Sequence, residues 1–302
     1  MAIPESAGLG GRYLGSRTPL SSRATGAIIS PGETRARNTV WSRPITRGAK
    51  SWARVGYLVL PALLPLAVLG VWGAVVGQHI VSRHVLVSPL DVLTAFGELW
   101  SSGELRRHLS RSLARLVMGF AIGGALGLTI GIAMGVSERT ESYIGPTFHA
   151  VRQIPSIALI PAFILILGVD ESLKIVLVAK ASLFPIALAA LHGVKQISRA
   201  YLEVASVHRV PRAVLLWRLV IPSATPPIVA GARIALGRSW LILVASELMA
   251  ADSGVGQMME MGRQMFRMDV VMVGVLLTGG IGLFLDGGVR AVERLVGAWR
   301  RA

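Results

Sequence analysis

Charged side chains inside long apolar runs are the residues of this sequence best suited to chemistry. Arg238 lies well inside an apolar run that begins at Pro227, with Ser239 and Trp240 beside it and Glu247 further along. At 1.5 Å per residue, Arg238 is on the order of 16 Å from Pro227. A cation at that depth of a bilayer-spanning helix is costly and needs a partner. The partner is either a structural ion pair within the helix bundle or a permeant anion, and the sequence leaves both open.

Glu247 is not the expected partner of Arg238, although both lie in the same run. Residues nine apart on an α-helix differ by about 180° in azimuth and by ~13 Å in rise. We therefore expect the partner on another helix, on a second subunit or in the cargo. Lys180 is a second cation within an apolar run, and Arg152 is a weaker candidate. If an anion crosses the bilayer beside these helices, the residues predicted to line its path are Arg238, Ser239, Trp240, Glu247 and Lys180.

Motifs for nucleotide hydrolysis and metal binding are absent from the sequence. No G-x-x-x-x-G-K-[ST] motif occurs, so the sequence has no P-loop of its own. The chain has no cysteine, and its six histidines form no H-E-x-x-H pair, so neither a thiolate nor a paired-histidine metal site is expected. We expect no enzyme activity and no cofactor bound by this chain.

The composition indicates a membrane protein. Of the 302 residues, 53% are hydrophobic and 16% are charged, which is too apolar for an ordinary soluble domain. We expect an all-α, polytopic transmembrane bundle of about six spans, each close to the ~20 residues that cross a bilayer. The predicted spans are Tyr57–Gln78, Leu113–Val136, Ile154–Gly168 (or from near Ile144), Lys174–Leu191, Pro227–Ala250 and Val270–Val289.

Basic residues set the expected orientation in the bilayer. The net charge is +15, but the charges lie between the apolar runs, so we expect no nucleic acid partner. Residues 1–55 are basic, without a lasting apolar period, and are interpreted as a disordered cytoplasmic tail before a transmembrane domain at 56–302. The connection 192–226 and the chain from Arg290 are also basic. The positive-inside rule then places both termini in the cytoplasm.

Five glycines recur every fourth residue in the second predicted span. Gly119, Gly123, Gly127, Gly131 and Gly135 fall on one ridge of a helix. In lipid, such a ridge lets a second helix approach closely. The ridge predicts tight helix packing, either within the bundle or across a dimer.

A basic segment at about 193–226 interrupts the apolar runs. Ala200–His208 predicts a short helix, and Pro211 suits the first turn of a second helix. We expect the second helix to end at its prolines, before the fifth span. The second helix carries an apolar stripe made of Leu215, Leu216, Leu219 and Val220. The prolines expected to end it are Pro222, Pro226 and Pro227. The segment predicts a projecting helix–turn–helix element, and an amphipathic helix lying on lipid is the alternative.

This element resembles the EAA loop of ABC-importer permeases. Glu203-Val204-Ala205, followed by Leu219 and Ile221-Pro222, has the spacing of that loop. Three longer stretches are similar to the permeases for aliphatic sulfonates, taurine and nitrate: HLSRSLARLVMGFAIGGALGLTIGIAMG, VRQIPSIALIPAFILILGVDESLKI and IPSATPPIVAGARIALGRSWLILVASELMAADSGVGQMM. The resemblance covers about residues 57–295.

The resemblance implies a type I ABC-importer permease in a bacterial inner membrane. Its implied partners are a second permease copy, two ABC ATP-binding subunits and an extracytoplasmic solute-binding protein. The resemblance implies that ATP and its Mg²⁺ bind the ATP-binding subunits. Its implied cargo is a small organic anion such as an aliphatic sulfonate or taurine. The alternative cargos are nitrate, bicarbonate and a pyrimidine vitamin precursor. The alternative class of protein is a secondary transporter without an ATPase. The residues implied to couple to the ATPase are Glu203, Val204, Ala205, Arg209, Pro211 and Pro222.

Two positions depart from the family pattern. Val204 replaces the middle alanine, and Arg209 occupies the place of a glycine. Glycine suits turns with positive φ, which is uncommon for arginine. Either Arg209 accepts a strained turn, or the turn is built differently with the help of Pro211.

Overall fold

The described chain is helical and covers most of the sequence. The computed structural model describes residues 49–78 and 87–299, and the side chains of residues 63–78 and 87–295. The chain divides into residues 1–61 and residues 62–302, and every contact given below lies within the second unit. The described α-helices are α1 Ala49–Gly77, α2 Pro89–Ser101, α3 Glu104–Val136, α4 Glu138–Gln153, α5 Ile160–Leu167, α6 Glu171–Lys195, α7 Arg199–Val207, α8 Arg212–Leu215, α9 Ile221–Ala250, α10 Val255–Gln264 and α11 Met268–Trp299.

Four stretches of helix in the described residues are long and apolar enough to cross a membrane. They are α3, α6, the continuous stretch Arg212–Ala250 that contains α8 and α9, and residues Met268–Leu295 of α11. The second, fourth, fifth and sixth predicted spans lie within these helices. The first predicted span lies within α1 except for its last residue, Gln78, and its crossing of the bilayer stays a prediction. Residues 1–48 of the predicted tail lie outside the described residues, and α1 already begins at Ala49, inside that predicted tail.

The third predicted span falls on a broken helix in the structure. Helices Glu138–Gln153 and Ile157–Leu167, the second of which begins with a 3₁₀ turn, are bent by 84° at a short break. Ile154 is extended there, with φ −71° and ψ 118°, because the proline that follows it disfavours the helical conformation. Together the two helices form at most one broken span or a re-entrant segment.

The glycine ridge of α3 packs against α6, which confirms the close approach predicted from the sequence and places it within one subunit. A Cβ atom at Gly127 would lie 2.5 Å from the Leu183 carbonyl oxygen, and one at Gly119 would lie 2.6 Å from Val178 Cβ. Contacts of this kind follow both helices from Gly119 to Gly135 in the same order, so α3 and α6 run parallel. Glycine is required along this ridge because any side chain would separate the two helices.

Helices α9 and α11 complete the bundle and define its two ends. Gly193 of α6 meets Ala224 of α9, and Ser239 of α9 meets Val178 of α6, so these two helices are antiparallel. The end that carries the short helices α7 and α8 is called the α7 end. The opposite end, called the α10 end, carries the beginnings of α3, α6 and α11, the end of α9, and α10.

Candidate functional site

The α7 end carries a short projecting helix whose surface is not covered by the described chain. None of the nine residues of α7 is buried. Glu203 and Val204 are exposed, and Ala205 is half-buried. On the same helix, Val204 and Val207 are 58% and 78% exposed. Exposed apolar side chains clustered on one element, with a charged residue among them, are typical of a surface that binds another protein.

A turn with an arginine in the left-handed region ends α7. Arg209 has a φ of +50°. Its N–H donates to the Ser206 carbonyl oxygen at 3.0 Å, and the Val210 N–H donates to the Ala205 carbonyl oxygen at 3.0 Å. This pair of bonds is a Schellman motif, in which the residue with positive φ is usually glycine. Of the two alternatives left by the sequence, the structure therefore has the strained turn, with Pro211 capping the helix that follows.

The helix after this turn does not end at its prolines, so that prediction is wrong. Helix α8 passes through a π-helical turn at Leu216–Val220 directly into α9. Pro222 lies in the first turn of α9, and Pro226 and Pro227 lie inside it. Prolines within helices are tolerated in transmembrane bundles because neighbouring groups and local π-helical adjustments satisfy the freed carbonyls.

The apolar stripe of this second helix faces protein. Leu215 and Leu216 pack against a buried cluster formed by Val194, Val220 and Ala224. A helix that lies on lipid would turn this stripe to the membrane. The stripe is instead used for packing within the subunit, which favours the projecting element over the lipid-lying alternative.

Arg238 lies on the surface of the subunit. Its side chain is exposed and makes no hydrogen bond or ion pair with any residue whose side chain the structure describes. Ile234 and Leu241, one turn to either side on the same helix face, are 56% and 65% exposed. A Cβ atom at neighbouring Gly237 would meet nothing within 4 Å. Arg238 thus projects from an apolar, uncovered face of α9.

Ser239 and Trp240 do not share the surroundings of Arg238. Both are buried. The Ser239 hydroxyl donates to the Val178 carbonyl oxygen at 3.4 Å, and the Trp240 Nε1 donates to the Thr278 carbonyl oxygen at 2.9 Å. Successive residues of a helix point in directions about 100° apart, which turns these two toward α6 and α11. The prediction that they line one cavity with Arg238 is corrected: within the subunit they are packing residues.

Glu247 is buried in a polar network at the α10 end. Its carboxylate accepts hydrogen bonds at 2.8 Å from Arg115 Nη1 and from the Ser112 hydroxyl, both on α3. It also accepts one at 3.0 Å from the Gly256 N–H. A Cβ atom at Gly254, where φ is +121°, would overlap this carboxylate. Glycine therefore lets the loop after α9 close around Glu247. The partner of Glu247 is on another helix, in agreement with the argument that an intrahelical bond to Arg238 is implausible.

Arg115 is the centre of this network. Besides Glu247, it donates to both carboxylate oxygens of Glu171 at 2.5 and 2.6 Å, and to the carbonyl and hydroxyl oxygens of Ser253 at 2.5 and 2.8 Å. An arginine has five N–H donors, and each one has an acceptor here. The guanidinium joins α3, α6, α9 and the loop that leads to α10.

Lys180 has a local structural role. Its Nζ donates to the Ile154 carbonyl oxygen at 2.8 Å and to the Ser156 hydroxyl at 3.3 Å. These acceptors lie at the break between α4 and α5, where the backbone carbonyls lose their helical partners. The structure thus places Lys180 at this break and does not bring it together with Arg238.

Comparison with known proteins identifies the family. Over residues 123–297, the sequence matches the family described as binding-protein-dependent transport system inner membrane component. The chain belongs to this family. The putative aliphatic sulfonates transport permease of Bacillus subtilis (strain 168) is 38% identical over 240 residues, which are 80% of this chain and 87% of the relative. The corresponding protein of Escherichia coli (strain K12) is 38% identical over 244 residues, 81% of this chain and 93% of the relative.

Two further comparisons extend this result. The taurine transport system permease of Escherichia coli (strain K12) is 31% identical over 236 residues, 76% of this chain and 86% of the relative. Among solved structures, an inward facing methionine ABC transporter matches with a TM-score of 0.51 and 20% identity, covering 62% of this chain and 95% of that chain. The structural likeness shows the fold of an ABC-importer permease. The chain is thus a membrane component of a transport system and not a catalytic subunit.

The residues that sequence reasoning missed in this permease are those of the Arg115 network. The residues of this network lie close to the ends of the predicted spans. Ser112 and Arg115 lie at the start of the second span, Glu171 before the fourth and Ser253 after the fifth. The available signal was Arg115 itself, which falls within the predicted second span and is therefore a costly charge. Its partners are 56, 132 and 138 residues away, and no spacing rule connects residues at such separations.

Proposed function

We propose that this permease is the membrane subunit of an ATP-driven importer of aliphatic sulfonates. The observation that carries the proposal is the 38% identity to two permeases named for aliphatic sulfonates, over about four fifths of the chain in each case. Taurine, itself a sulfonate, is the cargo in the name of a third relative. A sulfonate is a compact anion on a short organic group, which fits the small organic anion expected from the sequence.

The α7 end is the proposed docking surface for the ATPase. Glu203 and Val204 are exposed on a helix that the described chain leaves uncovered. The continuous helix from Arg212 to Ala250 begins directly after the turn at Arg209. A partner that moved α7 would therefore act on a helix that reaches the other end of the bundle. A secondary transporter has no ATPase for such a surface to bind, so the surface favours an ATP-driven system.

The remaining parts of the proposed assembly follow from the family. Two copies of the permease form a homodimer with the path between them, and each copy binds one ATP-binding subunit. A solute-binding protein delivers the cargo at the α10 end. The chain lies in a bacterial inner membrane with both termini in the cytoplasm, and ATP with its Mg²⁺ binds the partner subunits alone.

The cargo is tested by uptake in a strain that lacks its own sulfonate permeases. The permease is expressed with the ATPase and the solute-binding protein of a sulfonate transport system, and uptake of ethanesulfonate, taurine, nitrate and bicarbonate is measured. We expect uptake of ethanesulfonate that stops when ATP is depleted. Uptake of nitrate or bicarbonate alone would reassign the cargo, and uptake driven by an ion gradient without ATP would make the protein a secondary transporter.

The docking surface is tested separately with a charge reversal. Glu203→Lys is expected to weaken co-purification of the ATPase while the permease still folds. The matched control is Glu98→Lys, which reverses an exposed charge at the α10 end. Equal ATPase binding by both variants would show that α7 is not the docking element.

A further inference from the structure

Arg238 lies near the middle of α9, which belongs to one of the stretches long and apolar enough to cross the membrane. Helix α9 runs from Ile221 to Ala250, and Arg238 is about 4 Å along the axis from its midpoint. Its guanidinium has no acceptor among the residues whose side chains the structure describes, and its side chain is exposed. A cation at this depth is costly unless it faces water, protein or a counter-charge.

The other cations within the second, fourth and fifth predicted spans are matched inside the subunit. Arg115 has acceptors for all of its donors. Lys174 and Lys180 donate to oxygens at helix ends, and Arg233 pairs with Asp286 of α11. Because this fold supplies acceptors for these four cations, the exposed position of Arg238 indicates a partner from outside the described chain.

The surroundings of Arg238 suit an amphipathic anion. Ile234 and Leu241 flank it along one face of α9 and are exposed, whereas Gly237 leaves open space beside it. A guanidinium offers a planar pair of donors that matches oxyanions with several oxygens. The two aliphatic side chains can contact a short alkyl group. This face therefore combines a site for an anionic head with an apolar surface for its tail.

We propose that Arg238 binds the sulfonate group of the cargo in the translocation path, with Ile234 and Leu241 against its alkyl chain. The proposal rests on the proposed function for the nature of the cargo. The position of the site is inferred only from the exposed face of α9 that carries Arg238. Arg238 is then a specificity-determining residue, because a neutral cargo of the same shape would leave its charge unmatched.

Accessibility tests the position without reference to the cargo. The chain has no cysteine, so Arg238→Cys and Ser239→Cys each create a single thiol at the same depth. A water-soluble, anionic methanethiosulfonate reagent should modify the Arg238→Cys variant in the assembled complex. It should spare the Ser239→Cys variant, because Ser239 is buried against α6. Equal, slow modification of both variants would overturn the proposal, since position 238 would then face lipid or a subunit contact.

Transport tests the role of the charge. We expect Arg238→Gln to lower the maximal rate of ethanesulfonate uptake about tenfold or more, the scale of a lost charged hydrogen bond, with ATPase co-purification retained. Arg238→Lys should keep a larger part of the rate. The matched control is Arg139→Gln, an exposed arginine outside α9, whose uptake should stay within about twofold of the wild type.

The outcomes separate this inference from the proposed function. Normal uptake by Arg238→Gln, or loss of complex assembly in that variant, would overturn the role of Arg238, the second because the residue would be structural. An assembled wild-type complex that imports no sulfonate would overturn the proposed cargo instead. In that case modification of the Arg238→Cys variant would still support water access to this face of α9.

Discussion

Arg115 and Glu247 are 132 residues apart in the chain, yet Arg115 Nη1 donates to Glu247 Oε1 at 2.8 Å. The side chains are 2% and 0% exposed, and they join α3 to α9 near the α10 end of the bundle. Glu247 also lies on the continuous helix Arg212–Ala250, which begins beside the proposed ATPase-docking surface. The ion pair therefore holds one end of this helix in place, and the opposite end begins beside the proposed docking surface.

Removing one partner of this ion pair is expected to destabilise the permease strongly. Arg115→Gln leaves the Glu247 carboxylate buried without its counter-charge, which typically costs about 3–5 kcal/mol. The measurement is denaturant unfolding of the purified protein in detergent. The control is Glu98→Gln, which breaks the exposed pair with Arg267 at 2.9 Å and should cost about 0–1 kcal/mol. Similar losses in the two variants would mean that the network does not stabilise the fold.

The helices that cross the membrane could be predicted from the sequence because their signal is local. An apolar run near the length of a bilayer is sufficient to locate α3, α6 and α11. The glycine spacing on α3 likewise predicted a close helix contact, because a four-residue period is a property of one helix. Only the identity of the contacting helix, α6, required the structure.

The polar sites depended on contacts that the sequence does not reveal. The depth of a residue within an apolar run could be estimated for Arg238 and Trp240 alike. Which face of the helix is covered, however, depends on the neighbouring helices. The structure consequently buries Trp240 and exposes Arg238. The prolines at 222, 226 and 227 were interpreted by a rule for soluble helices, and the membrane context together with a π-helical turn allows the helix to continue through them.

Adding a methyl group to the glycine ridge is expected to loosen the bundle. Gly127→Ala places a Cβ atom 2.5 Å from the Leu183 carbonyl oxygen, and overpacking of this kind costs about 1–3 kcal/mol. Gly97→Ala is the matched control, because a Cβ atom there meets nothing within 4 Å. The control should be stabilised by about 0.5–1 kcal/mol, the usual gain from removing glycine within a helix. Thermal unfolding of both variants gives the comparison, and an unchanged midpoint for Gly127→Ala would contradict the packing of α3 on α6.

The turn at Arg209 is expected to prefer glycine. The φ of +50° costs a residue with a side chain about 1–2 kcal/mol, so Arg209→Gly should slow hydrogen exchange at the end of α7. Arg209→Val should accelerate it, because a β-branched residue tolerates positive φ poorly. Arg199→Val, in the first turn of the same helix, controls for the change of residue type. Faster exchange in the glycine variant than in the wild type would show that the arginine side chain itself stabilises the turn.

The stabilisation of α10 by Glu260 is expected to depend on pH only in acid. Hydrogen bonds from Arg263 and then Gln264 lower the pKa of Glu260 from 4.5 to about 2. A carboxyl group with a lowered pKa in the folded state stabilises fully above its ordinary pKa, and this stabilisation is lost as the pH falls through the lowered value. The difference in α10 hydrogen exchange between wild type and Glu260→Gln should therefore be constant from pH 8 to about 5 and vanish toward about pH 2. A midpoint near 4.5 would mean that the pair with Arg263 is not formed in solution.

The orientation is expected to place residues 198 and 252 on opposite sides of the membrane. Both are exposed, and the 39-residue helix Arg212–Ala250 lies between them, a rise of about 58 Å that exceeds the bilayer thickness. In intact cells, an impermeant maleimide should label Asp252→Cys and spare Ser198→Cys, and both should react after permeabilisation. Asp252 is preferred to Ser253, whose hydroxyl accepts a hydrogen bond from Arg115. Ser21→Cys tests the tail in the same way, although it lies outside the described residues. Labelling of Ser198→Cys from outside would invert the topology, and it would remove α7 from the compartment in which an ATPase could bind it.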